Sequence, residues 1–305
     1  MPRPTKMKRA RTTTWVHVND VSLRQCLVLR ERFPMLDERD LRDVLPPQQR
    51  PKYVERDDYR FIVLLLPWFD RERRALTVEE VDIFLLPQTV ITMHSGHIPV
   101  FGELQAHVVR KDGTVTLPES SDVMLELLER LLDYCAPILV HLQSDIDEQE
   151  GRVSEHFHER EISKTAILRR NVVSFNRAFT PDVRVIEHLC AAFGSTNRRD
   201  LRERAERVAD KTIEIMALLA DFSIAIGHIH ETQQALVTHR TNRVTTALTV
   251  IAVLTFPISM LASIFSIGAG GTPFVDRPEG FWIIASGLAT IGVVMFAFFK
   301  FRRWF

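Results

Sequence analysis

The sequence predicts an α+β membrane protein, in which an N-terminal cytosolic α/β domain precedes a long stalk helix that continues into the first of two C-terminal transmembrane helices. Two long runs near the C-terminus carry no charged side chain, at residues 244–267 and 281–299. Short β-branched or aromatic runs are confined to about the first 120 residues. Beyond about residue 200, apolar residues recur at alternating spacings of four and three, as in the seam of a coiled coil. These three observations fix the predicted order of the domains.

Residues 12–120 form the predicted α/β domain. Its strand-like segments are "TTWVHV", "RFIVLLLPWF", "EEVDIFLLP" and "TVITMH", and its helix-like segments are "LRQCLVLRERF" and "DERDLRDVL". "PPQQRPK" at 46–52 is expected to be an extended break, because each proline disfavours helix in the residue before it. Residues 1–11 are basic and are predicted to be a disordered tail.

Residues 121–243 form the predicted cytosolic helical domain, in which Pro181 is expected to interrupt the second helix. The stalk helix begins at about residue 200 and carries one apolar seam with alternating spacings of four and three. The seam needs partner helices, from the same chain or from other copies. Its members are Leu201, Ala205, Val208, Thr212, Ile215, Leu219, Phe222, Ile226 and Ile229.

The two uncharged runs are each long enough to cross a bilayer core about 30 Å thick. The predicted segments are transmembrane helix 1 at 244–267, an extracytoplasmic loop at 268–280, transmembrane helix 2 at 281–299 and a basic cytosolic tail at 300–305. Basic residues flank the outer ends of this hairpin: Arg240, Arg243, Lys300, Arg302 and Arg303. Because positive flanks stay in the cytoplasm, both termini are predicted to be cytoplasmic, with the protein in the inner membrane.

Composition excludes several classes of function. The 39 basic and 39 acidic residues balance, so no nucleic-acid partner is expected. The three cysteines are far apart and predict neither a disulfide framework nor a zinc cluster. No phosphate-binding glycine loop, nucleophile elbow or HExxH motif occurs, and we do not expect an enzyme.

Polar and small residues form a stripe along the first span. Since unpaired polar groups are costly in lipid, this stripe must face protein or water. Helix packing and the lining of a pore explain it equally well on spacing alone. The stripe consists of Asn242, Thr245, Thr249, Ala252, Phe256, Ser259 and Ser263, with Ser266 three residues later and Leu248 one residue off it.

A pore would require a homo-oligomer, because two helices cannot enclose a channel. A lining without fixed charge suits a cation that keeps much of its water, as Mg²⁺ does. Phe256 and Leu248 could form an apolar constriction that closes by dewetting.

Several segments in a characteristic order resemble the CorA group of divalent-cation channels and transporters. They are "QQRPK" at 48–52, "RFIVLLLPWFD" at 60–70, a very long helix that ends in "TNRVTTALTVIAVLTFPISMLASIF", a second span and the basic tail "KFRRWF". The resemblance covers about residues 12–305. It implies a homopentamer with a cytosolic funnel and a pore built from the first span.

The family hallmark, Gly-Met-Asn at the outer end of that span, is replaced here. Ser266, Ile267 and Gly268 stand in its place, so the asparagine amide that would meet the hydrated ion is absent. Mg²⁺ is the first expectation for both the transported and the regulatory ion, with Co²⁺, Ni²⁺ and Zn²⁺ left open.

The resemblance also implies a cytosolic metal sensor between neighbouring subunits. Glu231 matches the position on the long helix, and Glu79 or Glu80 is the expected partner; each could equally be a solvated surface charge. In a pentamer, Lys300, Arg302 and Arg303 would form a basic collar at the cytosolic mouth, although positive membrane flanks explain them as well.

The sequence thus predicts a homopentameric divalent-cation channel gated by cytosolic metal. The first alternative is a Zn²⁺ or other transition-metal transporter on the same scaffold. An alternative of another class is a non-conducting, membrane-anchored oligomer that acts as a sensor or scaffold.

Overall fold

The computed structural model describes residues 13–70, 72, 75–109, 115, 117–155, 159–266, 273 and 278–301. The chain divides into two compact units, Met1–His230 and Glu231–Phe305. The predicted tail at 1–11 lies outside the described residues.

One five-stranded sheet organises the first unit. Its strands lie in the order β1-β5-β4-β3-β2, with β1 parallel to β5 and every other pair antiparallel. The large buried rings of Phe61 and Phe84 stack at 4.6 Å in the core between the sheet and its first two helices. The strands are β1 (Thr14–Val18), β2 (Lys52–Glu55), β3 (Arg60–Asp70), β4 (Ala75–Leu85) and β5 (Thr89–His94).

The short helices of the α/β region are α1 (Leu23–Arg32), α2 (Glu38–Asp43) and α3 (Val100–Val108). The four predicted strands and the first two helices are confirmed. Strand β2 was missed because it directly follows the prolines of the expected break and is only four residues long. Helix α3 was also missed, since Gly102 lies within it and its nine residues give a short periodic signal.

Two long helices follow, α4 (Ser120–Glu155) and α5 (Glu159–Gly194). The expected interruption at Pro181 was wrong, because α5 continues through it. A proline inside a helix removes one backbone hydrogen bond. Here the packing of α5 against β2, β3 and β4 outweighs that loss.

Helix α6 spans Arg199–Ser266 and helix α7 spans Gly280–Phe301. All nine positions of the predicted seam are buried within the single chain, at 0% to 6% exposed. The partner for the seam is therefore supplied within the chain.

Ion pairs join the start of α6 to α4. Arg198 forms two hydrogen bonds of 2.8 Å with Asp122, a nearly buried carboxylate at the start of α4. Arg204 bridges Glu126 and Glu129 at 2.8 and 2.9 Å. Guanidinium groups suit such paired contacts because their donors are fixed in a plane.

Asp182 completes the hydrogen bonding of β3 where β2 ends. Strand β2 pairs only with residues 60–63, so the backbone N–H of Leu65 lacks a partner strand on that side. Both carboxylate oxygens of Asp182, at 3.0 and 3.1 Å, accept from this N–H. Burial raises the pKa of Asp182 well above its usual value, although the Leu65 N–H opposes the shift.

Two substitutions of Asp182 should distinguish the effect of losing the hydrogen-bond acceptor from the effect of losing the ionisable group. Asp182→Ala leaves the Leu65 N–H buried without a partner and should lower the free energy of unfolding by about 1–3 kcal/mol. Asp182→Asn keeps an acceptor. Because the folded-state pKa is raised, the contribution of Asp182 is fully present below its unfolded pKa and declines as pH rises through the folded pKa. The midpoint of thermal unfolding is measured for the three proteins from pH 4 to pH 8. As pH rises, the midpoint of the wild type should fall relative to that of Asp182→Asn. The same pH dependence of the midpoint in both proteins would contradict this.

The predicted fold class is confirmed: an N-terminal α/β domain and a helical region precede one long helix, which is the first of two C-terminal helices long and apolar enough to span a membrane.

Candidate functional site

Helix α7 covers one side of the first span. The positions of α6 that lose exposure follow alternating spacings, and among them Val250 is fully buried. A Cβ atom built on Gly292 of α7 would lie 3.3 Å from Cδ1 of Ile258. The two helices therefore approach closely at a glycine, as is common between membrane helices.

This contact predicts a size limit at Gly292. Gly292→Leu should push α7 away from Ile258, with an overpacking cost of about 1–3 kcal/mol. Gly287→Leu is a matched control, because a Cβ atom there meets nothing within 4 Å. We expect size-exclusion chromatography in detergent to show less monodisperse protein for Gly292→Leu than for the control. Equally monodisperse protein for the two variants would contradict close packing at Gly292.

The polar stripe lies on the side of α6 opposite to α7. At 100° per residue, the stripe and the covered positions are centred about half a turn apart. Leu248 is 63% exposed and Phe256 is 72% exposed within one chain. The other members are exposed as well: Asn242, Thr245, Thr249, Ala252, Ser259, Ser263 and Ser266. The stripe is therefore uncovered by the chain's own second span.

Two hydroxyl groups of the stripe donate to the helix backbone. Thr249 Oγ1 donates to the carbonyl oxygen of Thr245, and Ser263 Oγ donates to that of Ser259, both at 2.8 Å. A hydroxyl has one donor and two acceptor lone pairs. With the proton directed at the backbone, the exposed oxygen is left as an acceptor. Such oxygens can receive hydrogen bonds from the outward-pointing hydrogens of water bound to a cation.

The outer mouth and the basic collar are described only in part. Ser266 is the last residue of α6, and Lys300 lies on the exposed surface near the end of α7. Ile267, Gly268, Arg302 and Arg303 lie outside the described residues.

Glu79 is buried on the face of β4 that packs against the long helices. Its Oε1 lies 3.3 Å from His94 Nδ1 and accepts from the backbone N–H of His97, also at 3.3 Å. Burial raises the pKa of Glu79, but the contacts with His94 and His97 outweigh it and hold the pKa below its usual value. Glu79 is therefore an ionised carboxylate within the domain.

Glu80 lies on the opposite face of β4, because side chains alternate along a strand. Its Oε2 accepts from the backbone N–H of Gln49 at 2.6 Å. Asp82 lies on the same face and is 1% exposed. Burial raises the pKa of Glu80, and burial together with the charge of Glu80 raises that of Asp82 further above its usual value.

Glu231 is exposed on α6, in the second compact unit. Among the residues that the structure describes, no three His, Cys, Asp or Glu side chains lie close enough together to hold a metal ion. Glu79 and Glu80 are consecutive residues of β4, but their side chains lie on opposite faces of the sheet.

The sequence prediction missed Asp82 and His94 as neighbours of these carboxylates. In the predicted strand "EEVDIF", side chains alternate between the two faces, so Asp82 lies on the same face as Glu80. This pattern could have identified Asp82 from the sequence. His94 is the last residue of β5, opposite Val81 of β4.

Comparison with known proteins identifies the family. The model for the CorA-like Mg²⁺ transporter protein family matches residues 11–303. The cobalt/magnesium transport protein CorA of Thermotoga maritima is 23% identical over 293 residues, covering 96% of this chain and 84% of that protein. The zinc transport protein ZntB of Pectobacterium carotovorum is 21% identical over 238 residues, covering 76% of this chain and 70% of that protein.

Solved structures share the fold. The complete CorA magnesium transporter of Methanocaldococcus jannaschii superposes with a TM-score of 0.81 at 17% identity, covering all of this chain and 95% of that one. The full-length CmaX protein gives 0.73 at 18% identity, covering 96% and 88%. Helices α6 and α7 are the two spans, in the cytoplasmic membrane, and their basic flanks leave both termini in the cytoplasm. The chain belongs to the CorA-like Mg²⁺ transporter family, a family of divalent-cation transporters.

Proposed function

We propose that this protein is a homopentameric channel that carries divalent cations, Mg²⁺ first among them, down their electrochemical gradient across the cytoplasmic membrane. The observation that carries the proposal is the exposed polar stripe on α6, opposite the side covered by α7. In an assembly with α6 inside and α7 outside, the stripe meets water and α7 meets lipid.

A second exposed line on α6 supports assembly with further copies. In the cytosolic part of the helix, Ile213 is 58% exposed and Ile224 is 60% exposed, and Ala217 and Ala220 between them are also exposed. Their spacings of four, three and four place them on one side of a helix. This side is separate from the seam that is buried within the chain. Apolar groups at such regular spacing favour packing around a shared axis.

The chemistry of the stripe supports a hydrated cation as cargo. Its oxygens are neutral and act as acceptors, and Mg²⁺ gives up its water reluctantly. At the outer end, Ser266 and Gly268 would offer hydroxyl and carbonyl oxygens where the family has an amide. Phe256 and Leu248 would form the apolar constriction that gates by dewetting.

Regulation belongs to the same proposal. Mg²⁺ bound between Glu231 of one subunit and Glu79 or Glu80 of its neighbour would neutralise carboxylate repulsion and hold the funnel closed. Glu79 is engaged by His94 and His97, and Glu80 by Gln49. Either glutamate can be the partner of Glu231 in this proposal.

Zinc is the second candidate cargo, since proteins named as zinc transporters match most of the chain. Uptake by liposomes that contain the purified protein distinguishes the cargoes when Mg²⁺, Zn²⁺, Co²⁺ and Ni²⁺ are compared at equal concentration. The proposal predicts Mg²⁺ uptake above that of empty liposomes. Uptake of Zn²⁺ without Mg²⁺ would favour the transition-metal alternative, and absence of all uptake would favour a non-conducting scaffold. Native mass spectrometry tests the pentamer.

A further inference from the structure

A group of basic side chains lies at the cytoplasmic end of the transmembrane hairpin of α6 and α7. Arg240 and Arg243 lie just before the first span, and Lys300 is the penultimate residue of α7; all three are exposed. In the sequence, no Asp or Glu follows Arg240 before the extracytoplasmic loop, and none lies in α7 or after it. The nearest preceding acid, Glu231, is about 13 Å away along the helix. No carboxylate of the hairpin therefore neutralises this positive end.

Helical geometry places the cations on one side of the hairpin. Val250 of α6 faces α7, and Gly292 of α7 faces α6. At 100° per residue, Arg240 is turned about 80° from Val250, and Lys300 is turned about 80° from Gly292 in the same sense. Because the two spans run in opposite directions, these equal turns bring both side chains to the same side of the pair. Arg243 is about 20° from Val250 and lies closest to the line of contact between the helices.

The cations lie at the cytoplasmic boundary of the membrane. Gly292 is level with Ile258, so Lys300 lies about 12 Å and Arg243 about 22 Å further toward the cytoplasm along their helices. Long basic side chains near the end of a span bend toward the membrane surface. The lysine and the arginine can therefore converge on one phosphate group between them, in the polar head-group layer, which is about 5–7 Å thick on each face of a bilayer.

The same side of the hairpin is apolar toward the centre of the membrane. Ile251 on α6 and Val293 on α7 directly follow the two contact positions, so each is turned about 100° toward the side of the cations. They are 58% and 68% exposed within the chain. Val244, two turns before Ile251 on the same line, is 55% exposed. The basic end of the hairpin is therefore continuous with an exposed aliphatic surface, which is separate from the polar stripe.

An anionic phospholipid combines the two features that this side of the hairpin presents. Its phosphate accepts charge-assisted hydrogen bonds from guanidinium and ammonium groups, and its acyl chains cover aliphatic side chains. Basic sites beside membrane helices on the cytoplasmic face bind lipid head groups in this way. A soluble phosphate compound would satisfy the cations but would leave the aliphatic surface uncovered.

We propose that the cytoplasmic end of this hairpin binds one anionic phospholipid per chain. Arg243 and Lys300 hold its phosphate, and its acyl chains lie along Ile251 and Val293. Arg240 lies about 5 Å further toward the cytoplasm than Arg243, where it meets the outer part of the head group. The choline cation of a zwitterionic lipid would be repelled there, so the site selects lipids of net negative charge. The proposal does not depend on the transported ion, because lipid binding is measured without an ion gradient.

Native mass spectrometry of the full-length protein in detergent tests this site by counting bound lipids. Phosphatidylglycerol and phosphatidylcholine with identical acyl chains are added separately at matched concentrations. We expect phosphatidylglycerol to bind about tenfold more tightly, as one charge-assisted contact allows. Arg243→Gln and Lys300→Gln should each weaken phosphatidylglycerol binding about tenfold. Arg240→Gln should remove most of the preference for phosphatidylglycerol over phosphatidylcholine.

Arg177→Gln is the matched control, since Arg177 is an exposed arginine of α5, outside the hairpin. It makes the same change of charge and should bind both lipids as the wild type does. Equal binding of the two lipids by the wild type, or unchanged phosphatidylglycerol affinity in either Arg243→Gln or Lys300→Gln, would overturn the proposal. Because these are separate exposed positions, one variant keeps the test valid if the other fails to fold.

Two further outcomes would also overturn the proposal. An equal loss of phosphatidylglycerol binding in Arg177→Gln would indicate only the net charge of the protein. Glycerol phosphate, the soluble head group without acyl chains, is added as a competitor and should not displace the lipid at equal concentration. Displacement would assign the cations to free phosphate compounds instead of a lipid.

Discussion

Uptake of Mg²⁺ by liposomes should fall roughly 100-fold when Ser259 is replaced by tryptophan, because an apolar ring at a narrow point removes the water that a cation needs. Ser259 lies within the exposed stripe of α6, and its carbonyl accepts the hydroxyl of Ser263. In the proposed assembly every copy contributes the same position, so one substitution places several indole rings around the path.

Ala262→Trp is the matched control for this change. Ala262 is also small and exposed, but it lies about 100° from the centre of the stripe. We expect this variant to retain most of the uptake. Both variants are first checked for the oligomeric state by native mass spectrometry. Equal losses in two intact assemblies would show that the stripe has no special place in transport.

Suppression of uptake by Mg²⁺ on the cytosolic side should be largely lost in Glu231→Lys. The lysine removes a proposed ligand and places a positive charge beside the neighbour's carboxylates. Coupling between a regulatory ion and a gate is typically a few kcal/mol at most, so uptake at high internal Mg²⁺ should rise roughly tenfold. At low internal Mg²⁺ the variant should transport as the wild type does.

Glu214→Lys is the corresponding control, since Glu214 is an exposed glutamate elsewhere on α6. It makes the same change of charge outside the proposed sensor and should remain suppressed by Mg²⁺. The sensor proposal fails if Glu231→Lys is suppressed as strongly as Glu214→Lys.

The sequence predicted those parts of the fold that have a strong repeating signal. The seam from Leu201 to Ile229 repeats over eight spacings, and burial confirms each position. Pro181 misled the prediction because the local rule against proline in helices takes no account of packing on the sheet. The four residues of β2 were too few for a periodic signal beside the prolines that precede them.

The candidate site was predictable to a similar degree. Stripe positions followed from spacing alone, whereas their position opposite α7 required the contact between Gly292 and Ile258. Glu79 and Glu80 are consecutive in a predicted strand, so the alternation of side chains already implied that they point to opposite faces. The contacts of Glu79 with His94 and His97 required the structure. The open edge of β4 at residues 76–80 depends on where β5 ends, which no local sequence pattern indicates.

Modification of a single cysteine placed at Ser259 tests most directly whether the stripe surrounds a watery path. The three native cysteines, Cys26, Cys135 and Cys190, are buried, and burial raises the pKa of each thiol, to about 12 for Cys135 and about 11 for Cys190. They are therefore poor competitors for a thiol reagent. A charged methanethiosulfonate should react with Ser259→Cys and block Mg²⁺ uptake, and it should leave Ile251→Cys, on the lipid side, unmodified. Lack of reaction at position 259, or reaction there without any change in uptake, would contradict the proposed path.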